Sequence, residues 1–421
     1  MNLRYDIAVI GGGAAGMLAA IKAAEAGAKV VLFEKKQVCG RKMLLTGKGR
    51  CNMTNTKPWA EFSSHMHPKA AFVKAAFHNF SNKDTIRFFN QIGLPTVVTQ
   101  GQRVFPESMS AADVVDVLVS RMTKLSVDIL YNCDIIKVMK SEKCYKCIYN
   151  KRIGDMMDIQ AFSVKAVIVA TGGLSYPITG STGKGYDIAR SFEHTVTPCF
   201  PSLTALTPKN YDTRLIGIDL ENVGIYLTVN GDIVQMETGD LSFTDGGIEG
   251  SLGYRVSRKA VHAMINGNKV EIVLDLKPAL SVATIKARIG REMEDLHYTE
   301  PLTDRRMVTL LKRLMPQQLI QPFLFAHKNV DVKSLPDVLK EWRFPIAKYV
   351  GYERAVVTAG GVSTEEVVSK TMQSRLSSGL FFAGEVLDVD GDTGGYNLQF
   401  AFSSGALAGQ SAAKYVKSLK I

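Results

Sequence analysis

An α/β fold carried by the two ends of the chain, with a β-rich and helical module inserted between them, is what this sequence predicts. Three observations predict it. A strand–glycine turn–helix–strand unit opens the chain. A strand–glycine loop–helix signature recurs near its far end. Between them prolines cluster at 198, 201 and 208, and short strand-like runs then give way to helical periodicity.

The opening unit is explicit. Asp6 to Ile10 reads as a short apolar strand, and Gly11-Gly12-Gly13-Ala14-Ala15-Gly16 matches G-x-G-x-x-G at Gly11, Gly13 and Gly16. Met17 to Ala26 is alanine-rich and helix-forming, Gly27 ends that helix, Lys29 to Phe33 reads as a second strand, and Glu34 closes it. This is the dinucleotide fingerprint in its proper context. Gly11 permits the tight turn, Gly13 lets backbone approach a pyrophosphate, and Gly16 lets helix and strand pack closely. The helix start offers unpaired N–H groups and a positive dipole end to phosphates. Glu34 can accept hydrogen bonds from an adenosine ribose. A secretion signal does not fit, because glycines interrupt the apolar stretch and only Arg4 precedes it.

With 421 residues, two or three domains are expected: 1–199 with 351–421, then 200–278, then 279–350. Hydrophobic content of 46% and charged content of 22% fit a globular protein. No run approaches the roughly 18 apolar residues of a membrane span. The six cysteines (39, 51, 133, 144, 147, 199) are expected to be free thiols in a cytoplasmic protein. A net charge of +11 raises nucleic acid as a partner. However, Lys35, Lys36, Arg41, Lys42, Lys48, Arg50 and Lys57 fall within an acid-free run from Lys35 to Ala60, directly after the fingerprint. A pyrophosphate or an anionic small-molecule substrate explains that run, so no stable nucleic-acid partner is expected. Oligomeric state is not legible.

Gly40 to Asn55 reads as an ordered loop rich in backbone donors. Residues 68–92 and Ala111 to Lys124 read as helix, Val127 to Tyr149 as a pair of strands, and Lys165 to Ala170 as a strand ending in Thr171-Gly172-Gly173. Leu215 to Leu276 carries short strand-like runs. Ser281 to His327 is helical, with Ser281 as its N-cap. Strand chemistry returns at Arg354 to Thr358 and Leu380 to Ala383. Gly384-Glu385 follows, then a loop from Asp388 to Asn397 and a helix from Leu398 to Leu419 whose small residues suit packing against a sheet. Other motifs fail. Asp388-x-Asp390-x-Asp392 lacks the glycine and glutamate of a calcium loop, with Thr393 and Gln399 in their places. Cys144-x-x-Cys147 has no second pair. His65-x-His67 reads as loop surface, and no metal site is expected.

Glu34 disfavours a 2′-phosphate, while Lys35 and Lys36 leave NADP open. A second strand–glycine–helix junction near the far end fits an extended FAD better. The first unit would hold the adenine half, and the late junction the ribityl and flavin half. The helix start near Asn397 would face the flavin's pyrimidine end and stabilise negative charge on reduction.

The chain resembles the BaiN-type, aminoacetone-oxidase-like family of bacterial FAD-dependent oxidoreductases over nearly its whole length. The resemblance is carried by Gly11 to Gly16, Gly40-Arg41-Lys42, Thr46-Gly47-Lys48-Gly49-Arg50-Cys51-Asn52-Met53-Thr54-Asn55, Arg103-Val104-Phe105-Pro106, Ala170 to Gly173, Gly180 to Gly183, Ala359 to Val362, and Gly384 through Gln399. It implies a discontinuous Rossmann-like FAD-binding domain with an inserted β-barrel-like and helical module. The FAD contacts expected from motif and resemblance together are Gly11, Gly13, Ala14, Ala15, Gly16, Glu34, Lys35, Arg41, Lys42, Gly47, Lys48, Gly49, Arg50, Cys51, Asn52, Ile135, Thr171, Gly172, Gly384, Glu385, Asp388, Gly394, Gly395, Tyr396, Asn397 and Leu398. Within Phe243 to Ser251 the family usually has His, Ser and Pro where Asp245, Glu249 and Ser251 stand, so the substrate need not be that of relatives.

The expected activity is two-electron flavin chemistry on a small organic substrate. No second G-x-G-x-x-G exists, so NAD(P)H, as the expected reductant, must dock transiently. Amine oxidation with O2, a fumarate-reductase-like reaction and a flavin-dependent RNA-binding or regulatory role are the alternatives. Tyr176, Arg50 and Asp245 are polar candidates near the flavin, and Cys51 is a candidate for a thiol adduct. No residue is assigned as catalytic acid or base.

Overall fold

The structure, a computed structural model, describes residues 4–142, 144–154 and 156–419. It divides into two compact units, Met1–Phe200 with Val356–Ile421, and Pro201–Ala355.

The first unit is built on a seven-stranded sheet in the order Val367–Val368, Gln373–Ser374, Leu380–Phe382, Ala166–Val169, Ile7–Ile10, Val30–Phe33, Asp128–Leu130. The strands from Leu380–Phe382 to Asp128–Leu130 run parallel, and the two short outer strands are antiparallel. Ile7–Ile10, Val30–Phe33 and Ala166–Val169 are buried throughout. Such unbroken apolar runs are what parallel strands covered on both faces require. Ile7–Ile10 lies between Val30–Phe33 and Ala166–Val169, so the chain leaves it in opposite directions. That is a topological switch point, where a crevice opens beyond the strand ends.

The helix Ala14–Glu25 follows the glycine turn, and Tyr396–Ser418 ends the described fold. A Cβ added at Gly405 would lie 2.3 Å from the Ala15 carbonyl oxygen, and one at Gly409 2.2 Å from that of Ala19. The small residues of the last helix therefore let two helix backbones touch.

Three local expectations change. The ordered loop expected over Gly40–Asn55 contains short helices: Arg41–Leu45 is a helical turn and Thr46–Gly49 a 3-10 turn. Residues 68–92 form two helices, Ala70–Asn79 and Asn82–Gln91, because Ser81 and Asp84 make a capping box that restarts the helix. The stretch read as two strands holds three. Asp128–Leu130 extends the parallel sheet, while Cys133–Lys140 and Tyr145–Ile153 join Met156–Val164 in a separate antiparallel sheet.

The second unit is a closed antiparallel barrel, in the order Leu206–Pro208, Gly247–Glu249, Asp232–Thr244, Asp219–Val229, Val270–Asp275, Trp342–Tyr349. Its helices include Gly250–Ile265 and Val282–Asp295. Ser281 caps the latter, its hydroxyl accepting from Thr284 N at 3.1 Å. The helical stretch is not a unit of its own. Trp342–Tyr349 closes the barrel, and Lys340 just before it pairs with the fully buried Asp275 carboxylate at 2.5 Å. Among the described residues no helix is long and apolar enough to cross a membrane.

Candidate functional site

A cleft opens in the first unit, at the ends of Ile7–Ile10 and Ala166–Val169. Its walls come from the glycine turn, Gly40–Met43, Ala170–Gly172, Thr179–Ser181, Ala383–Glu385 and the start of the last helix.

The glycine turn is shaped by backbone contact. Gly11 has φ +106°, and a Cβ there would lie 2.5 Å from the Ala170 carbonyl oxygen. A Cβ at Gly16 would lie 1.9 Å from the Gly11 carbonyl oxygen. Gly13 differs: a Cβ there would meet no protein atom within 4 Å. Gly13 is also the N-cap of Ala14–Glu25, with no side chain capping the helix. Free N–H groups facing open space at a helix start are the cradle a pyrophosphate needs. Behind it, Glu34 accepts from Gly12 N at 2.9 Å and Lys36 N at 2.8 Å. Burial raises its pKa above the ordinary carboxyl value, against those two donors. Lys35 Nζ donates to Thr182 Oγ1 at 2.7 Å.

The opposite wall is shaped by side chains. Glu385 accepts from Lys42 Nζ at 2.6 Å, Ser175 Oγ at 2.6 Å and Thr358 N at 2.9 Å. Lys42 also donates to Ser175 Oγ. Thr358 Oγ1 accepts from Leu174 N at 2.8 Å and Ser175 N at 3.1 Å. Burial opposes ionisation of Glu385, but Lys42 and the hydrogen bonds outweigh it and lower the pKa. One ring thus ties together four segments distant in sequence.

Beyond it, Asp392 Oδ2 lies 2.8 Å from His65 Nδ1, and Oδ1 lies 3.1 Å from His67 Nε2. Burial pushes the Asp392 carboxyl up, yet the two imidazoles hold it down at about 2. The Tyr396 ring stacks on His65 at 4.5 Å. Asn397 Oδ1 accepts from Gly391 N at 2.8 Å and Nδ2 donates to Gly391 O at 2.7 Å, closing the loop on itself.

Of the expected cofactor residues, Gly11, Gly13, Ala14, Ala15, Glu34, Lys35, Arg41, Lys42, Ile135, Thr171, Gly172, Gly384, Glu385, Asn397 and Leu398 line the cleft. Gly16, Gly47, Lys48, Gly49, Arg50, Cys51, Asn52, Asp388, Gly394, Gly395 and Tyr396 are not among its lining residues. Gly16 faces Gly11 instead. Gly395 lies against Thr54, and Gly394 O accepts from Asn55 Nδ2 at 3.0 Å. Lys48 and Arg50 are exposed. Burial pushes the Cys51 thiol up to about 12, which leaves it protonated and unsuited to the adduct considered above. Asp245 pairs with Arg354 at 2.8 Å inside the second unit. Sequence reading missed Ser175, Thr358, Asp392 and the roles of His65 and His67. The His-x-His spacing was their one visible signal.

The HI0933-like protein Rossmann domain model matches residues 5–411. A 3-dehydro-bile acid delta(4,6)-reductase of Clostridium scindens is 31% identical over 415 residues, covering 97% of this chain and 99% of that protein. A ribosomal RNA dihydrouridine synthase of Escherichia coli is 33% identical over 414 residues, covering 95% and 96%. Among solved structures, a 3-ketosteroid delta1-dehydrogenase of Sterolibacterium denitrificans shares the fold, with a TM-score of 0.53 at 11% identity, covering 97% of this chain and 99% of that one. The chain belongs to the HI0933-like Rossmann family and is an FAD-dependent oxidoreductase.

Proposed function

We propose that the protein reduces a carbon–carbon double bond conjugated with a carbonyl, with NAD(P)H as electron donor and a uridine in RNA as substrate. One observation carries the chemistry: relatives matched over nearly the whole chain have different printed substrates but one kind of reaction. A Δ4,6 bond system beside a 3-oxo group and the ring double bond of uridine are both electron-poor alkenes next to a carbonyl. Each product gains a hydride and a proton.

When bound, FAD supplies the two-electron hydride chemistry. The residues of this chain bind and orient it. Gly11 to Ala15 would receive the pyrophosphate, Glu34 the adenosine ribose, and the Lys42–Glu385–Ser175 ring would fix the wall beside the ribityl and flavin half. With no second glycine fingerprint, NAD(P)H would dock transiently. RNA as substrate draws on the charge of +11 and on the ribosomal RNA relatives. The encounter would be transient, in keeping with the expectation of no stable nucleic-acid partner. A small conjugated ketone is the second reading, favoured by the bile-acid relative.

The test is anaerobic. NADH or NADPH should bleach the bound flavin, and failure of both removes the reductase reading. The reduced enzyme should then convert uridine to dihydrouridine in protein-free ribosomal RNA from a strain lacking the gene, read by mass spectrometry. RNA left unchanged, with a conjugated steroid ketone reduced, would select the second reading.

A further inference from the structure

We propose that Lys48, Arg50 and Arg103 form a contact face for the phosphate backbone of the RNA. The proposal rests on the RNA reading above and adds where that RNA is held. The three side chains come from two segments brought together by strand pairing, with Asn55 opposite Arg103. Lys48 sits on the 3-10 turn with φ +57°, flanked by Gly47 and Gly49, also at positive φ. The Arg50 guanidinium lies 5.5 Å over the Phe105 ring, and its Nε donates to Gly47 O at 3.0 Å. Arg103 is two residues before Phe105 on the strand Arg103–Pro106, so both point to the same face. Its Nε donates to Gln100 O at 3.1 Å.

All three residues are exposed. Among the described residues, no carboxylate lies within ion-pair distance of any of them. Elsewhere in the same basic run, Lys42 pairs with Glu385 and Lys57 with Glu61. An ordinary solvated lysine or arginine waves freely. Here both arginines are pinned through Nε to backbone carbonyls. Pinning through Nε restricts each guanidinium while engaging neither terminal nitrogen, and a planar fork held in this way suits phosphate oxygens. None of the three is among the residues lining the cleft.

The experiment compares FAD-loaded wild type with Lys48→Gln/Arg50→Gln/Arg103→Gln, and with Arg103→Gln alone in case the triple variant misfolds. The probe is a labelled fragment of protein-free ribosomal RNA, titrated across a potassium chloride series. Each lost phosphate contact should flatten the slope of log affinity against log salt by roughly 0.7–0.9. The triple variant should therefore lose roughly 2–3 in slope, and roughly 100-fold in affinity near 0.15 M salt. An unchanged slope in the variants, with wild type reducing uridine in RNA, overturns the assignment and leaves the RNA reading standing. Wild type that neither binds the fragment salt-dependently nor reduces its uridine overturns both. FAD loss from the triple variant, or a raised KM for NADPH with RNA affinity intact, also overturns the assignment, because the cations would then serve a dinucleotide.

Discussion

Gly11–Gly16 and Gly384–Asn397 each present a glycine turn and a helix start to one cleft, yet the first rests mainly on close backbone contacts and the second adds a network of side-chain hydrogen bonds. At the first, the absent Cβ atoms of Gly11 and Gly16 leave room for carbonyl oxygens. At the second, Glu385, Asp392 and Asn397 gather lysine, serine, histidine and main-chain donors. Such close contact leaves almost no room for change at Gly11 and Gly16. A side-chain-built wall fails gradually, one hydrogen bond at a time.

Substitutions should separate the two. Gly16→Val has the largest expected effect. Its Cβ would overlap a carbonyl oxygen 1.9 Å away, so loss of more than about 4 kcal/mol and insoluble protein are expected. Gly13→Val should behave differently, because its side chain meets only open cleft. The apo protein should keep its unfolding midpoint while FAD affinity falls at least ~100-fold, about 2.7 kcal/mol, by flavin fluorescence. Stoichiometric FAD in that variant would refute the pyrophosphate cradle. On the opposite wall, Lys42→Met leaves the Glu385 carboxylate without its cation and should cost about 3 kcal/mol in urea unfolding. Adding Glu385→Gln should restore part of it.

Asp392→Asn should cost about 2 kcal/mol near neutral pH. The sign follows from a lowered carboxyl pKa: the contribution is present above the unfolded value near 3.8 and is lost as pH falls toward about 2. Wild type and variant should therefore converge in stability across that acid window. A stability gap that stays constant across that acid window would refute the pairing. Asn55→Ala, which removes the donor to Gly394 O, should cost only about 1 kcal/mol.

Local pattern was legible in the sequence and distant pairing was not. The glycine turn, the helix Ala111–Lys124 and the Ser281 cap all rest on residues a few positions apart, where spacing encodes geometry. Lys42 and Glu385 meet across 343 residues, and His65 and Asp392 across 327, and no periodicity records such encounters. The helical turn Arg41–Leu45 was read as loop because five residues are too few to show a helical repeat. Trp342–Tyr349 escaped notice because a barrel strand is recognised by its partners, here Leu206–Pro208 and Val270–Asp275.

The contacts of Gly405 with Ala15 and of Gly409 with Ala19 carry a kinetic consequence. They bring the helix leaving the first turn and the helix leaving the second into backbone contact. Neither turn can then swing away from the other without breaking the helix pair, so a cofactor gripped at both ends would not be freed by movement of one turn alone. Its residence time should be set by unfolding of this unit rather than by loop motion. FAD release and loss of helical circular dichroism should then follow one time course on heating, and Gly409→Leu should shorten both together.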